Sequence, residues 1–174
     1  MDNLYINNLI KTVINNSVSN NWSEAVKEWD IVDVEEDITL SESCICGHPN
    51  LRYLYTIKNK YTGRILYPIG SSCIKKFNRK ELDGVTSLYE SLYNLYHQIM
   101  DNAFITLDSK YFTRRLIKYF YEIKLYDYND YDFMLKMFNK RDKKSISKKQ
   151  QSKINYIIKF VILEYCKNNL KIKY

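Results

Sequence analysis

The chain has 174 residues, 45% of them apolar, and a formal net charge of +7. That size and apolar content suit a folded domain with a real core and exclude a disordered chain. No apolar run reaches the ~18 residues a membrane span needs, and the start, MDNLYINNLIKTVINN, turns polar within a few positions, unlike a secretory signal, so a cytoplasmic protein without membrane contact is expected.

Leu4, Tyr5, Leu9, Ile10, Val13 and Ile14 recur near helical spacing and predict an amphipathic helix over 4–14. NSVSNNW reads as a loop. Ser23 is placed to cap a helix running through Trp29, with Glu24 in its first turn. DIVDVEEDITL alternates apolar and acidic residues, which suits an edge strand with a charged outer face. Leu51–Lys58 is rich in β-formers, NKYTG is a turn, and Arg64–Ile69 is the return strand of a hairpin. Gly70 and Ser71 lead into a helix starting near Ser72.

From residue 81 onward the pattern is helical. Val85, Leu88, Tyr89, Leu92, Tyr93, Tyr96, Ile99 and Met100 form one long stripe. Asp108 or Ser109 is placed to cap a second helix carrying Phe112, Leu116, Ile117, Phe120 and Ile123. YDYNDYDF reads as an acidic, tyrosine-rich loop entering a short helix to Phe138, and NKRDKKSISKKQ as a basic connector. Ser147 caps a last helix with Ile154, Ile157, Ile158, Val161, Ile162 and Tyr165 inward. The expected architecture is α+β. A small zinc-stabilised, treble-clef-like β-hairpin module closes a first region, 1–80, and a mostly helical half, 81–174, packs on it.

One stretch concentrates the scarce residues. Residues 43–77 hold three of the four cysteines, one of the two histidines and three of the four glycines. In a reducing compartment, clustered cysteines point to metal rather than to disulfides. The candidate ligands are Cys44, Cys46, His48 and Cys73, a soft donor set that favours zinc. Gly47 fits a tight turn after a ligand, and a helix N-terminus at Cys73 favours a thiolate. The spacing is C-x-C rather than the usual C-x2-C, and Cys166 is the alternative fourth ligand if the last helix folds back. His97, in the middle of a helix, is read as structural.

Charge is unevenly divided. Residues 1–42 carry two bases and nine acids, residues 43–80 eight bases and no acid, and residues 81–174 17 bases and 11 acids. The basic middle segment partly offsets the charge of three thiolates around a divalent ion. A catalytic zinc needs an open position and a nearby general base, and no acid lies within 43–80. The chain has no H-E-x-x-H, no phosphate-cradling glycine loop and no nucleophile-elbow pattern. A structural zinc in a binding protein, not an enzyme, is expected.

The segments EAVKEWDIVDVEE, CICGHPNLRYLYTIKNKYTGRILYPIGSSCIKKF, KYFTRRLIKYF and SISKKQQSKINYII resemble, in this order, a group of small zinc-knuckle proteins of low-GC bacteria and their phages. The Ile, Lys, Asn and Tyr bias fits A+T-rich coding of that kind. The specific part is the C-x-C-G knuckle followed by G-x-x-C-I-x-K-F. The resemblance implies a zinc module and no activity. A narrower resemblance is to phage-encoded anti-CRISPR proteins that inhibit Cas9, which implies a viral protein acting in the host cytoplasm by protein–protein interaction.

Two functional expectations follow. The first is a monomeric, stoichiometric inhibitor of Cas9 or another CRISPR effector that blocks target DNA loading. At +7 it does not mimic DNA with its whole surface. Its contacts would lie on the basic segment, Arg52, Lys58, Lys60, Arg64, Lys75, Lys76, Arg79 and Lys80, with exposed tyrosines beside them. The second is a nucleic-acid-binding zinc module of phage replication, recombination or regulation, in which the same cations interleave with Tyr53, Tyr55, Tyr61, Tyr67 and Phe77. Pairing of the acidic arm with the basic segment inside the fold would favour the first.

Overall fold

A computed structural model of the protein describes residues 2–101 and 105–174. The elements run α1 (Asp2–Asn15), α2 (Trp22–Ala25) with a 3-10 turn at Val26–Glu28, β1 (Trp29–Asp37), β2 (Tyr53–Asn59), β3 (Ile65–Ile69), α3 (Ser71–Lys75) and α4 (Lys80–Asp101). Then follow α5 (Arg114–Glu122), α6 (Tyr128–Asn139), a 3-10 turn at Lys143–Ser145, α7 (Lys148–Tyr156), a π-helical stretch at Ile157–Ile162, α8 (Leu163–Asn169) and β4 (Ile172–Lys173). The class is α+β, with strands early and helices late, as the hydrophobic periods indicate.

The chain divides into two compact units. One comprises the residues up to Ser87 together with Lys171–Tyr174, and the other is Leu88–Leu170. The change of unit thus falls inside α4, whereas charge and pattern place it at residue 80/81.

The first unit is built on a four-stranded sheet of order β3-β2-β1-β4. β1 and β2 are antiparallel, with Trp29 opposite Asn59 and Val34 opposite Tyr55, and the register slips between Ile31 and Asp33. The slip lets Val32 stand exposed while Val34 stays buried. β1 is not the expected edge over its C-terminal half. Glu36 and Asp37 pair in parallel with Ile172 and Lys173, and Lys171 and Lys173 make ion pairs with Asp33 and Glu42. An acid on β1, Asp33, and one in the loop after it, Glu42, thus pair with lysines in and beside a strand from the far end of the chain. Leu9, Val13, Val26, Trp29, Leu54, Ile57, Ile69, Ile74 and Phe77 are buried in this unit.

Several helix ends differ from expectation. Asn21, not Ser23, caps α2, and its side chain accepts from Ser23 N; the helix stops early because the β-prone run begins at Trp29. Thr113, not Asp108 or Ser109, caps α5 by accepting from Leu116 N, while Asp108 accepts from Lys110 N in a preceding turn. Asp127 caps α6, so most of YDYNDYDF is helix: a tyrosine-rich run that offers a capping aspartate and an i, i+4 Asp132–Lys136 pair has what a helix needs. Ser147 caps α7 as expected, in a full capping box with Gln150.

The second unit is an all-helical core of Leu92, Leu95, Leu107, Phe112, Leu116, Ile117, Phe120, Met134, Ile154, Ile158, Ile162 and Cys166, all buried. Val161 and Tyr165 are only half-buried. The π-helical turn rotates the chain after Ile157, so that Ile162 and Cys166 take the inward places. No helix among the described residues is long and apolar enough to cross a membrane.

Candidate metal centre

The knuckle at 44–48 is held by short-range bonds. Gly47 N donates to Cys44 O at 2.7 Å, and Cys44 N donates to His48 O at 2.8 Å. Gly47 has φ +94°, a left-handed conformation that glycine adopts at least cost. Two longer links fix the knuckle to its surroundings. Ile45 N donates to Pro68 O of β3 at 2.9 Å, and Asn8 Nδ2 of α1 donates to Cys46 O at 3.1 Å. On the other side Gly70 precedes α3 and brings Cys73 into its first turn. A Cβ on Gly70 would lie 2.9 Å from Leu51 Cδ2, so a larger residue there would make the Leu51 side chain shift.

This framework gathers three thiols. Cys44, Cys46 and Cys73 have all their sulfurs within 4.8 Å of one another. Cys44 Sγ is 3.6 Å and Cys46 Sγ 3.5 Å from Cys73 Sγ. Those separations are far longer than a disulfide bond of about 2.05 Å. They lie close to the roughly 3.8 Å edge of a tetrahedron with metal–sulfur bonds of about 2.3 Å. Cys44 and Cys46 are buried and Cys73 is partly so.

The electrostatics of the cluster favour a cation. The Cys73 thiol, and then the backbone N–H groups of Cys46 and Gly70, hydrogen-bond the Cys44 sulfur and bring its pKa down to about 5. Cys73 is pushed up, first because it shares its proton with Cys44 and then by burial. Cys46 is pushed up by burial. One thiolate is stabilised and its neighbours are held protonated, because like charges this close oppose each other. A divalent ion removes that opposition and lets all three ionise. The donors present fit a thiophilic metal ion.

The two candidate fourth ligands are placed differently. His48 lines the same cavity as the thiols, about 220 Å³ in volume, together with Asn50, Arg52 and Ser72. Its ring is exposed and packs edge-on against Tyr5, with centroids 5.4 Å apart; among the described residues the close cluster comprises Cys44, Cys46 and Cys73. Cys166 lies fully buried in the helical core, where burial pushes its thiol up to about 12. It is not in the cluster.

The eight cations of 52–80 have unequal roles. Arg52 Nε pairs with the buried Glu36 carboxylate at 2.8 Å. Arg79 is a staple: Nη1 donates to the carbonyls of Val26 and Trp29, Nη2 to Asp30 at 3.0 Å and Nε to Glu81 at 2.7 Å. Its side chain is only 16% exposed. Arg64 donates to Asn15 O at 3.1 Å, and Lys60 lies over the Tyr61 ring at 5.3 Å. Lys58, Lys75, Lys76 and Lys80 are exposed and have no carboxylate partner among the described residues. Of the interleaved aromatics, Tyr55 and Phe77 are buried. The local pattern hid Asn8 and the Gly70 N–H, because their partners lie dozens of positions away. Comparison with known proteins finds no matching family model, no matching characterised protein and no matching solved structure.

Proposed function

We propose that the chain is a phage-encoded, stoichiometric inhibitor of a CRISPR effector of the Cas9 type, and that a structural zinc ion at Cys44, Cys46 and Cys73 holds its knuckle, hairpin and helix start together. Zinc is the ion that three thiolates select in a reducing cytoplasm. His48, which lines the same cavity, is the protein's own choice for the fourth position. Zinc here organises the fold, and the protein binds rather than turns over.

The observation that carries the inhibitor reading is the internal pairing of the acidic strand. Asp30 pairs with Arg79, Glu36 with Arg52, Asp33 with Lys171 and Glu42 with Lys173, while Tyr67 donates to Glu35. These carboxylates are therefore engaged within the fold, which argues against a DNA-mimicking arm. Two cations of the basic segment, Arg52 and Arg79, are taken up by these pairs, and neither is free to meet a phosphate. What remains outward are the exposed Lys58, Lys75, Lys76, Lys80 and Tyr61, side chains suited to acidic or polar groups on a protein partner. The test is a binding series of the purified chain against guide-loaded Cas9, read as loss of target DNA loading, alongside metal content per chain. Tight complex formation that prevents loading supports the reading; no complex with Cas9 at low salt sinks it.

A further inference from the structure

The last helical run, α7 to α8, buries one side and displays another. Ile154, Ile157, Ile158, Ile162 and Cys166 face the helical core. Opposite them stand Tyr156, 59% exposed, and Phe160, 63% exposed. Their rings stack, with centroids 5.5 Å apart and planes inclined by 30°. The second ring sits within the π-helical turn, a deviation from α-geometry that is frequent at functional sites. A shallow, open groove lined by Leu125, Phe160, Glu164 and Asn168 runs beside it.

Charge along this helical run is mostly positive. Residues 148–169 carry five lysines and a single acid, Glu164. Lys153 is committed to Asp130 at 2.6 Å and to the face of Phe133. Lys148, Lys149, Lys159 and Lys167 are exposed and have no carboxylate partner among the described residues. Helical spacing sets Lys149 about two turns before Tyr156, Lys159 about one turn after Tyr156 on its flank, and Lys167 about two turns beyond Phe160.

We propose that this face of α7–α8 is a binding site for single-stranded nucleic acid. Bases stack on Tyr156 and Phe160, and Lys149, Lys159 and Lys167 meet the phosphates. Glu164 and Asn168 offer an acceptor and an amide to a base edge in the groove. A duplex lacks the free base faces this requires. Two exposed rings already stacked on each other favour a base over a protein side chain as the occupant. An anionic membrane fits less well, because the broad apolar side that would enter the lipid is already buried in the core. The site goes beyond the inhibitor reading and stands independently of it.

The test uses the full chain and labelled, short, mixed-sequence single-stranded DNA and RNA, read by fluorescence anisotropy across a salt series, with no CRISPR effector present. A matched duplex and phosphatidylserine vesicles run in parallel. Single-strand binding is expected to weaken with salt, with a logarithmic slope of about −0.7 per phosphate contacted. Tyr156→Ala with Phe160→Ala is expected to weaken binding roughly tenfold at fixed salt and to leave the slope alone. Lys149→Gln with Lys159→Gln is expected to flatten the slope by about one to two units. Unchanged far-UV circular dichroism shows that both variants are folded. The proposal is overturned by no binding at low salt, by binding indifferent to both variants, by equal affinity for the duplex, or by binding to vesicles and not to strands. None of these outcomes bears on the inhibition of Cas9.

Discussion

The sheet-containing unit and the helical unit solve the problem of cohesion with different chemistry. In the helical unit, aliphatic and aromatic side chains on five helical segments bury one another. Polar links accompany that core: Tyr119 meets Tyr165 at 2.7 Å, and the buried Tyr126 hydroxyl donates to Ile117 O at 2.6 Å. The sheet unit has an apolar centre around Trp29, Leu54 and Ile57, but long loops connect its strands, and polar devices hold those loops. Glu28, buried, accepts from Val18 N, Ser19 N and Asn59 Nδ2. Asp37, also buried, accepts from Thr39, Ser41 and Glu42. Three thiols converge where knuckle, hairpin and helix meet. Apolar burial is non-directional and tolerates a shifted helix end, whereas each of these polar devices works only at one geometry. The two units should therefore fail in different ways.

The largest difference should come from the cysteines. Replacing Cys46 with serine, or stripping metal with a chelator, is expected to remove metal-linked folding energy on the order of 10 kcal/mol. The sheet unit should lose its cooperative melt while helical circular dichroism from the other unit persists. Metal content and a thermal scan decide it, and an unchanged melt with no metal bound would show that the thiols are not ligands.

Phe120→Ala probes the opposite unit. Phe120 is fully buried among Tyr119, Tyr126 and Tyr165, and its loss should cost about 3–5 kcal/mol. Metal per chain should stay as in the wild type. A parallel loss of metal would mean that the units do not fail separately.

Acid sharpens the comparison at a buried carboxylate of the sheet unit. Asp37 is held at about 2, below an ordinary 3.8, chiefly by the hydrogen bond from Thr39, with Ser41 and Glu42 N adding to it. Its folded-state pKa is depressed, so its contribution is fully present above about pH 4 and is lost as pH falls toward 2. Stability followed across that window should drop more steeply in the wild type than in Asp37→Asn. Equal slopes would exclude Asp37 as the source.

The smallest effect is at the start of α7. Ser147→Ala removes the side chain that accepts from Gln150 N at 3.2 Å and should cost roughly 1 kcal/mol in the helical unit. Denaturant melts resolve that difference, and the sheet unit should not register it.

The legible parts of the fold were those encoded by neighbours. Ser147 with Gln150 announces a capping box within four residues, the Leu9–Val13 stripe announces α1, and the NKYTG turn between two β-prone runs announces β2 and β3. The candidate site was legible to the same depth. C-x-C-G and G-S-S-C mark three thiols by their local settings, and the structure brings those three together. Misplaced caps at Ser23 and Asp108 had close rivals, Asn21 and Thr113, of equal local quality. Which one acts depends on where the next element packs, and short windows do not contain that.

By itself, then, the sequence determined the α+β class, the hairpin, the helical second half and the grouping of three cysteines, because each rests on periods and spacings of a few residues. Only the tertiary structure decided that β4 covers β1, that Arg79 is a staple while Lys75 faces solvent, that Cys166 belongs to a core, that the His48 ring rests on Tyr5, and that stacked aromatics among lysines stand on α7–α8. Those outcomes join residues as far apart as Asp33 and Lys171. They depend on which surfaces meet once the chain has closed on itself, and local sequence carries no record of that choice.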